Sequence, residues 1–223
     1  YEDVYFQFPG KDEDLPLFVN LYFPPDHDFS GSSGIVLIQT RYNPEDLDLD
    51  LTVERAKVFA CGGLPVAVFN PADFTPDSTA QSITALFDYL RKREGIFGID
   101  SSRVAFMSAS SGMTVVGNML SGLSEKDRTC VRSVIGFYNG FSEKYYEALP
   151  TSAHYHFLSW KLDSAGLHDN ITSTIDYLEN NNGEAEFIPV PSGGHIFEFN
   201  NTDAEVIQIL ENLVIAVSED LNA

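Results

Sequence analysis

The sequence contains little cysteine: Cys61 and Cys130 are the only two in 223 residues. Neither belongs to a C-x-x-C pair or lies near a histidine at the spacing of zinc ligands. The sequence therefore predicts no metal site, and it lacks the cysteines for a disulfide framework. Buried free thiols are expected at both positions, with a single disulfide between them as the alternative.

Positive charge is also scarce. The chain has 13 Lys and Arg residues against 33 Asp and Glu residues, a formal net charge of −20. Such a surface repels phosphate backbones and anionic lipid headgroups, so nucleic acid and anionic membranes are not expected as partners. No apolar run approaches the ~20 residues of a membrane-spanning helix, and no basic and apolar leader is seen at Tyr1. We expect a soluble protein without a membrane span, either cytoplasmic or exported with its leader removed.

Apolar residues, in contrast, are plentiful. They make up 43% of the 223 positions, which is enough for one domain with a sizeable core. No linker, repeat or low-complexity segment divides the chain. The sequence therefore predicts a single domain over residues 1–223.

Short continuous apolar runs alternate with segments of helical spacing along most of the chain. Such runs are typical of strands buried on both faces of a parallel sheet. An N-terminal antiparallel hairpin, with strands at 4–8 and 17–23, precedes them. The later strands are predicted at 34–39, 65–70, 103–109, 131–137, 155–160 and 185–190, and the helices at 51–61, 78–93, 112–120, 171–178 and 203–217. This order predicts an α/β fold with a mostly parallel central sheet and helices on both faces.

The segment from Arg103 to Val116 predicts a strand that enters a tight turn and leaves as a helix, with Ser110 at the apex. This is the geometry of a nucleophile elbow, in which small residues two before and two after the serine keep the two backbones from colliding. Ser108 and Gly112 occupy these positions, so the pattern is S-x-S-x-G where G-x-S-x-G is usual.

A serine hydroxyl needs a general base, and the base needs a carboxylate that fixes its tautomer. His195 follows the last predicted strand in a glycine loop and is the preferred base. Asp163 follows the preceding strand and is the preferred acid; Asp169 is the alternative, although it also suits the N-cap of the next helix. The other histidines are expected at the surface or in the core, with one of the pair 154 and 156 facing the core and the other exposed: His27, His154, His156 and His168.

An oxyanion hole usually takes one backbone N–H from the residue after the nucleophile and another from the loop after an earlier strand. Ser111 supplies the first donor. Arg41 is preferred for the second, with its neighbours Thr40 and Tyr42 as alternatives. Gln39, Tyr42 and Phe74 are the candidate substrate contacts. Further aromatic residues serve either an acyl pocket or ordinary packing: Phe141, Tyr145, Tyr146 and Phe197.

With these residues the chain resembles the α/β-hydrolase superfamily, in particular its esterase/lipase and dienelactone-hydrolase-like members. The resemblance rests on Tyr22-Phe-Pro-Pro after the hairpin, the run Phe97-Gly-Ile-Asp-Ser-Ser-Arg-Val-Ala, the elbow, and Gly193-Gly-His195. It implies that Ser110, Asp163 and His195 are nucleophile, acid and base, and that no cofactor is needed. The short segment between 137 and 155 predicts no large cap domain.

Two positions depart from the family pattern. Many esterases carry His-Gly-Gly where this chain has Gln39-Thr40-Arg41, so glycine's freedom to turn an N–H toward the oxyanion is missing. Arg41 therefore either projects into the site and selects an anionic substrate or faces solvent. The second departure is Ser108, which narrows the elbow.

The residues and the resemblance together predict a cofactor-independent serine hydrolase that cleaves a carboxylic ester or related acyl bond of a small soluble substrate through an acyl-enzyme. A peptidase or a dienelactone-type hydrolase is an alternative within enzymes, because loop shape sets substrate choice. A non-catalytic hydrolase fold that serves as a binding or scaffold module is the competing class. The oligomeric state is not predicted.

Overall fold

The computed structural model describes residues 18–39, 50–70, 76–199 and 201–223. Within these ranges seven strands form one sheet: β1 (Phe18–Tyr22), β2 (Ser33–Gln39), β3 (Val66–Asn70), β4 (Ile99–Ala109), β5 (Val131–Phe137), β6 (His154–Trp160) and β7 (Glu184–Val190). The α-helices are α1 (Asp50–Cys61), α2 (Pro76–Phe97), α3 (Gly112–Gly122), α4 (Glu125–Arg128), α5 (Ala165–Asn180) and α6 (Ala204–Asn222). Two short 3-10 helices lie at Glu143–Ala148 and Gly194–Ile196.

The sheet has the order β1-β3-β2-β4-β5-β6-β7. β1 runs antiparallel to β3, and every other pair of neighbours is parallel. The expected mostly parallel sheet is therefore confirmed. β1 is the second strand of the predicted hairpin; the first, at 4–8, lies outside the described residues.

Both faces of the sheet are covered by helices. Ile35 and Leu37 of β2 pack with α2, α3 and α5, whereas Val36 and Ile38 pack with α1 and α6 on the opposite face. Because neighbouring side chains of a strand point to opposite faces, a strand covered on both sides needs apolar residues at successive positions. This explains why the central strands appear in the sequence as continuous apolar runs.

Some helices are longer than the sequence pattern predicts. α2 continues past 93 to Phe97, so the basic residues at 91–93 do not occupy its last turn, and Gly98 ends it with a φ of +62°. α6 continues to Asn222 because Leu221, one turn after Val217, is also buried. α4 was not predicted, since four residues are too few to show a period.

The two cysteines are free, but only Cys130 is buried. Cys61 is exposed at the end of α1, so the expectation of a buried thiol is wrong there. Among the described residues no helix combines the length and the apolar character needed to cross a membrane.

Candidate active site

Ser110 lies between the last residue of β4 and the first of α3 and has a φ of +53°. A residue with a side chain rarely adopts this left-handed conformation, which costs energy unless the surroundings hold it. Here the Ser110 N–H donates to the carbonyl of Phe137, at 2.8 Å, and the Asn139 side-chain amide donates to the Ser110 carbonyl, at 3.3 Å. The end of β5 thus holds the serine at the apex of the turn.

Ser108 and Gly112 approach each other closely across the turn. A Cβ at Gly112 would lie 2.1 Å from Ser108 Oγ and 2.7 Å from Gln39 Oε1, so no side chain fits there. The buried Ser108 hydroxyl donates to Gln39 Oε1 at 2.9 Å. Ser108 and Gln39, one residue from each departure from the family pattern, are therefore hydrogen-bonded to each other, and the Ser108 hydroxyl occupies the space left by the missing side chain of Gly112.

His195 and Asp163 meet beyond the carboxyl ends of β7 and β6. The distance from His195 Nδ1 to Asp163 Oδ2 is 2.7 Å. Gly193 and Gly194, with φ of +100° and +72°, form the turn that presents the histidine. With Nδ1–H donating to the carboxylate, Nε2 is left as the basic nitrogen, which is the tautomer that a general base requires.

Ser110 and His195 line one cavity of about 170 Å³ at the carboxyl edge of the sheet. Its wall includes the side chains of Gln39, Leu51, Thr52, Arg55 and Tyr138. A serine, a histidine oriented by a carboxylate, and space for a small molecule thus share one site. These are the groups that nucleophilic attack with general-base assistance requires.

The alternative acid, Asp169, is exposed and lies inside α5. It is not the N-cap of this helix, because Ser164 occupies that position. The proposed N-cap role for Asp169 is therefore wrong. The structure brings Asp163, and not Asp169, into hydrogen-bond contact with His195.

A second polar network supports the histidine and was not predicted. The Tyr138 ring lies 4.5 Å from the His195 ring, centroid to centroid. Its hydroxyl donates to Glu198, which also accepts from Arg55 Nε at 2.9 Å. Burial raises the pKa of Glu198, and the Arg55 guanidinium opposes part of that rise. Glu198 lies three residues after His195, but nothing in the sequence pairs it with Tyr138, 60 residues earlier.

Of the candidate oxyanion donors, the structure describes Ser111. Ser111 is the N-cap residue of α3, at the helix end whose first N–H groups have no partner within the helix. Thr40, Arg41, Tyr42 and Phe74 lie outside the described residues. Gln39 ends β2 and lines the cavity, and its role as a substrate contact stays a prediction.

The other aromatic candidates are packing residues. Phe141, Tyr145 and Phe197 are buried in the two cores beside the sheet. Tyr146 stacks on Tyr177, with the ring centroids 4.5 Å apart. None of these four lines the cavity at Ser110.

No protein-family description and no curated protein matches the sequence. Among solved structures, the chain is similar to an esterase from Thermogutta terrifontis. Its butyrate-bound form is 14% identical, with a TM-score of 0.66 over 93% of this chain and 90% of that chain. Its native form is 15% identical, with a TM-score of 0.65 over 94% and 89%. The form phosphorylated by paraoxon is 14% identical, with a TM-score of 0.64 over 93% and 90%. At this identity the likeness concerns the fold.

Proposed function

The chain has the α/β-hydrolase fold, as the sequence predicts, and from that premise we propose that it is a serine hydrolase. It would cleave a carboxylic ester or related acyl bond of a small soluble substrate, with Ser110 as nucleophile, His195 as base and Asp163 as the orienting acid. One observation carries the proposal: the strained Ser110 opens on the same cavity as a histidine that is bonded to a carboxylate.

In this mechanism His195 Nε2 takes the hydroxyl proton while Ser110 Oγ attacks the substrate carbonyl carbon. The carbonyl oxygen becomes an oxyanion beside the Ser111 N–H, with a second donor proposed from Arg41 or its neighbours. The imidazolium then gives its proton to the departing alkoxide, which leaves an acyl-enzyme. Water, deprotonated by His195, then attacks the acyl carbon. The bond to Ser110 Oγ breaks, His195 returns the proton to that oxygen, and the carboxylic acid and free Ser110 are released.

The cavity favours a short acyl group. A volume of about 170 Å³, with Leu51 and Ile196 as apolar lining, accommodates a few carbon atoms. Arg55 also lines the cavity, but its charge is balanced by Glu198 at 2.8 Å, so it does not by itself select an anionic substrate. A structure of the similar Thermogutta esterase holds butyrate, a four-carbon acid, which supports this substrate size.

The test is covalent labelling with a fluorophosphonate probe, followed by peptide mapping. We expect stoichiometric modification at Ser110 in the intact protein and none in Ser110→Ala. His195→Ala should label at least about 100-fold more slowly, because the general base is lost. Ser121→Ala is the matched control: its hydroxyl lies on the exposed side of α3, bonded to the Gly117 carbonyl, and its loss should leave labelling unchanged.

Substrate class is then tested with p-nitrophenyl esters from acetate to octanoate. We expect kcat/KM to be highest for the short chains. A folded protein that neither labels nor hydrolyses any of these esters would favour the non-catalytic scaffold instead.

A further inference from the structure

Two histidines and two carboxylates meet at the edge of the sheet opposite to Ser110. His154 and His156 begin β6, whereas Ser110 and Asp163 follow the carboxyl ends of their strands. Glu186 is the register partner of His156 on β7, and Asp220 is close to the end of α6. We call these four residues the basal histidine cluster. The proposed hydrolase mechanism does not use it.

The two imidazoles lie on the same side of β6. Their ring centroids are 4.1 Å apart, as the spacing of two residues along a strand allows. One of the two was expected to face the core and the other to be exposed: His156 is completely buried, whereas the His154 side chain is 30% exposed, although both rings lie on one side of the strand. One nitrogen of each ring and a carboxylate oxygen of Glu186 all lie within 4.8 Å of one another.

Asp220 bonds to both rings with its two oxygens. His154 Nδ1 lies 3.2 Å from Oδ1, and His156 Nε2 lies 2.8 Å from Oδ2. A carboxylate that accepts the N–H of each ring fixes both tautomers and leaves His154 Nε2 and His156 Nδ1 as lone-pair nitrogens.

His156 has more carboxylate partners than a neutral imidazole can serve. Its Nδ1 lies 2.7 Å from Glu186 Oε1, while Nε2 already faces Asp220. A neutral ring has one N–H and can donate to only one of these carboxylates, so the other contact requires a second proton or a bound cation. A metal ion held by Nδ1 and Glu186 is such a cation.

We propose that His154, His156 and Glu186 bind one divalent transition metal ion of the Zn²⁺ type, with Asp220 as a positioning residue. Two imidazoles and one carboxylate suit zinc and its neighbours better than Mg²⁺ or Ca²⁺, which prefer oxygen ligands alone. Zinc holds its ligand atoms at roughly 2 to 2.2 Å, which places the ligand atoms of a tetrahedral site roughly 3.4 Å from one another. His156 Nδ1 and Glu186 Oε1, now 2.7 Å apart, would move slightly apart, and the more distant ligand atoms, all within 4.8 Å, would move inward. A carboxylate that accepts the remaining N–H of each metal-bound histidine is the usual outer support of such sites.

The ion would cross-link three elements. It joins β6 to β7 directly, and through Asp220 it connects both to the end of α6. A cavity of about 260 Å³ borders His154 and Asp220. The Glu186 side chain is 46% exposed, so solvent reaches two of the three proposed ligands. Bound metal should therefore stabilise the fold without taking part in chemistry at Ser110, because the two sites lie at opposite ends of the strands.

The test uses the full chain without a histidine tag, dialysed against EDTA, and titrated with Zn²⁺ by calorimetry and with Co²⁺ by visible absorption. We expect one equivalent to bind, visible bands from bound Co²⁺, and a higher Tm with Zn²⁺. His154→Ala and Glu186→Gln should each weaken binding at least about 10-fold, and Asp220→Asn should weaken it roughly 10- to 100-fold. Both side chains of the first pair are partly exposed, so these variants should fold, as circular dichroism will check.

His168→Ala is the matched control, because this histidine bonds to the Trp160 carbonyl and lies outside the cluster. It should bind Zn²⁺ like the unaltered protein. Absence of saturable Zn²⁺ binding, equal affinity for Mg²⁺, or unchanged affinity in folded His154→Ala and Glu186→Gln would each overturn the proposal. Labelling of Ser110 does not depend on these results, so the metal site and the hydrolase activity can fail separately.

Discussion

Ser110 keeps its strained backbone because residues from three strands fix it. Its own N–H bonds to the end of β5, and Ser108 below it bonds to Gln39 at the end of β2. Gly112 is the point where this packing is tightest, since a methyl group there would meet both polar side chains. The turn therefore depends on the absence of a side chain at Gly112 as much as on the hydrogen bonds.

Gly112→Ala should destabilise the protein by about 1 to 3 kcal/mol, the usual cost of overpacking. Adding Ser108→Ala should restore part of that loss, because the Oγ at 2.1 Å is removed and the remaining Ser108 Cβ lies 3.5 Å away. Urea unfolding of the two single variants and the double variant measures the coupling. Strictly additive losses would contradict this account of the contact.

Asp163→Asn should slow fluorophosphonate labelling of Ser110 by about 10³- to 10⁴-fold, because an amide no longer fixes the His195 tautomer. Stability should change little, since the amide oxygen can still accept the Ser164 N–H that Asp163 accepts now, at 2.8 Å. The measurement is the rate constant for labelling of Ser110 in each protein.

Asp169→Asn is the matched control, because Asp169 is the other acid that the sequence offered in the same segment. It should label at the unaltered rate. The reverse pattern, with loss in Asp169→Asn and none in Asp163→Asn, would transfer the role of acid to Asp169.

At the scale of elements, α4 shows how a short helix is held without a periodic apolar face. Ser124 is its N-cap and accepts the Asp127 N–H at 3.1 Å, while its hydroxyl donates to Asp127 Oδ2 at 2.7 Å. The Asp127 carboxylate also pairs with Arg91 of α2. The S-x-x-D pattern is a capping signal that was available in the sequence. The link to α2, 36 residues away, was not.

Asp127→Asn should cost about 1 to 2 kcal/mol at pH 7, the scale of losing a cap interaction. Burial raises the pKa of Asp127, but Ser124 and then Arg91 outweigh it, so the folded-state pKa lies below the ordinary 3.8. The carboxylate's contribution is therefore present above 3.8 and is lost as the pH falls through the folded-state pKa. Urea unfolding at pH 7, 5, 4 and 3 gives the free energy of unfolding of the unaltered protein and of Asp127→Asn. The difference between the two values should become smaller only at pH 4 and pH 3.

Asp88→Asn serves as the control, because Asp88 pairs with the same Arg91 at 3.4 Å but is 57% exposed. Exposed pairs contribute at most about 1 kcal/mol. A loss in Asp88→Asn as large as that in Asp127→Asn would mean that the charge on Arg91, and not the buried cap, carries the effect.

At the scale of the whole molecule, the two cores share one sheet. The core with α2, α3 and α5 and the core with α1 and α6 contact opposite faces of the same strands. Neither face can lose its helices without exposing apolar strand residues, so the two should unfold together. Unfolding of both cores in one step is what the prediction of a single domain means in physical terms.

Leu86→Ala in α2 and Leu213→Ala in α6 should each cost about 2 to 5 kcal/mol, since both side chains are fully buried in opposite cores. Each should lower the urea midpoint equally for far-ultraviolet circular dichroism and for fluorescence of Trp160, the single tryptophan. Separate midpoints for the two probes would show that the cores unfold independently.

The sequence determined the order of strands and helices, since both periods are local properties of a few neighbouring residues. It also marked Ser110 as the apex of a strand-turn-helix and offered His195 and Asp163 after later strands. The sequence predicted the ends of α2 and α6 too early, because burial of Phe97 and Leu221 depends on which residues pack against them.

The tertiary structure alone decided which distant side chains meet. Gln39 and Ser108 are 69 residues apart, Tyr138 and Glu198 are 60, and His156 and Asp220 are 64. Each of these contacts requires a particular strand order, register and helix placement, which follow from packing the whole core at once. Local sequence patterns contain no information about that packing. The network of Tyr138, Glu198 and Arg55 next to His195 and the basal histidine cluster could therefore be identified only from the structure.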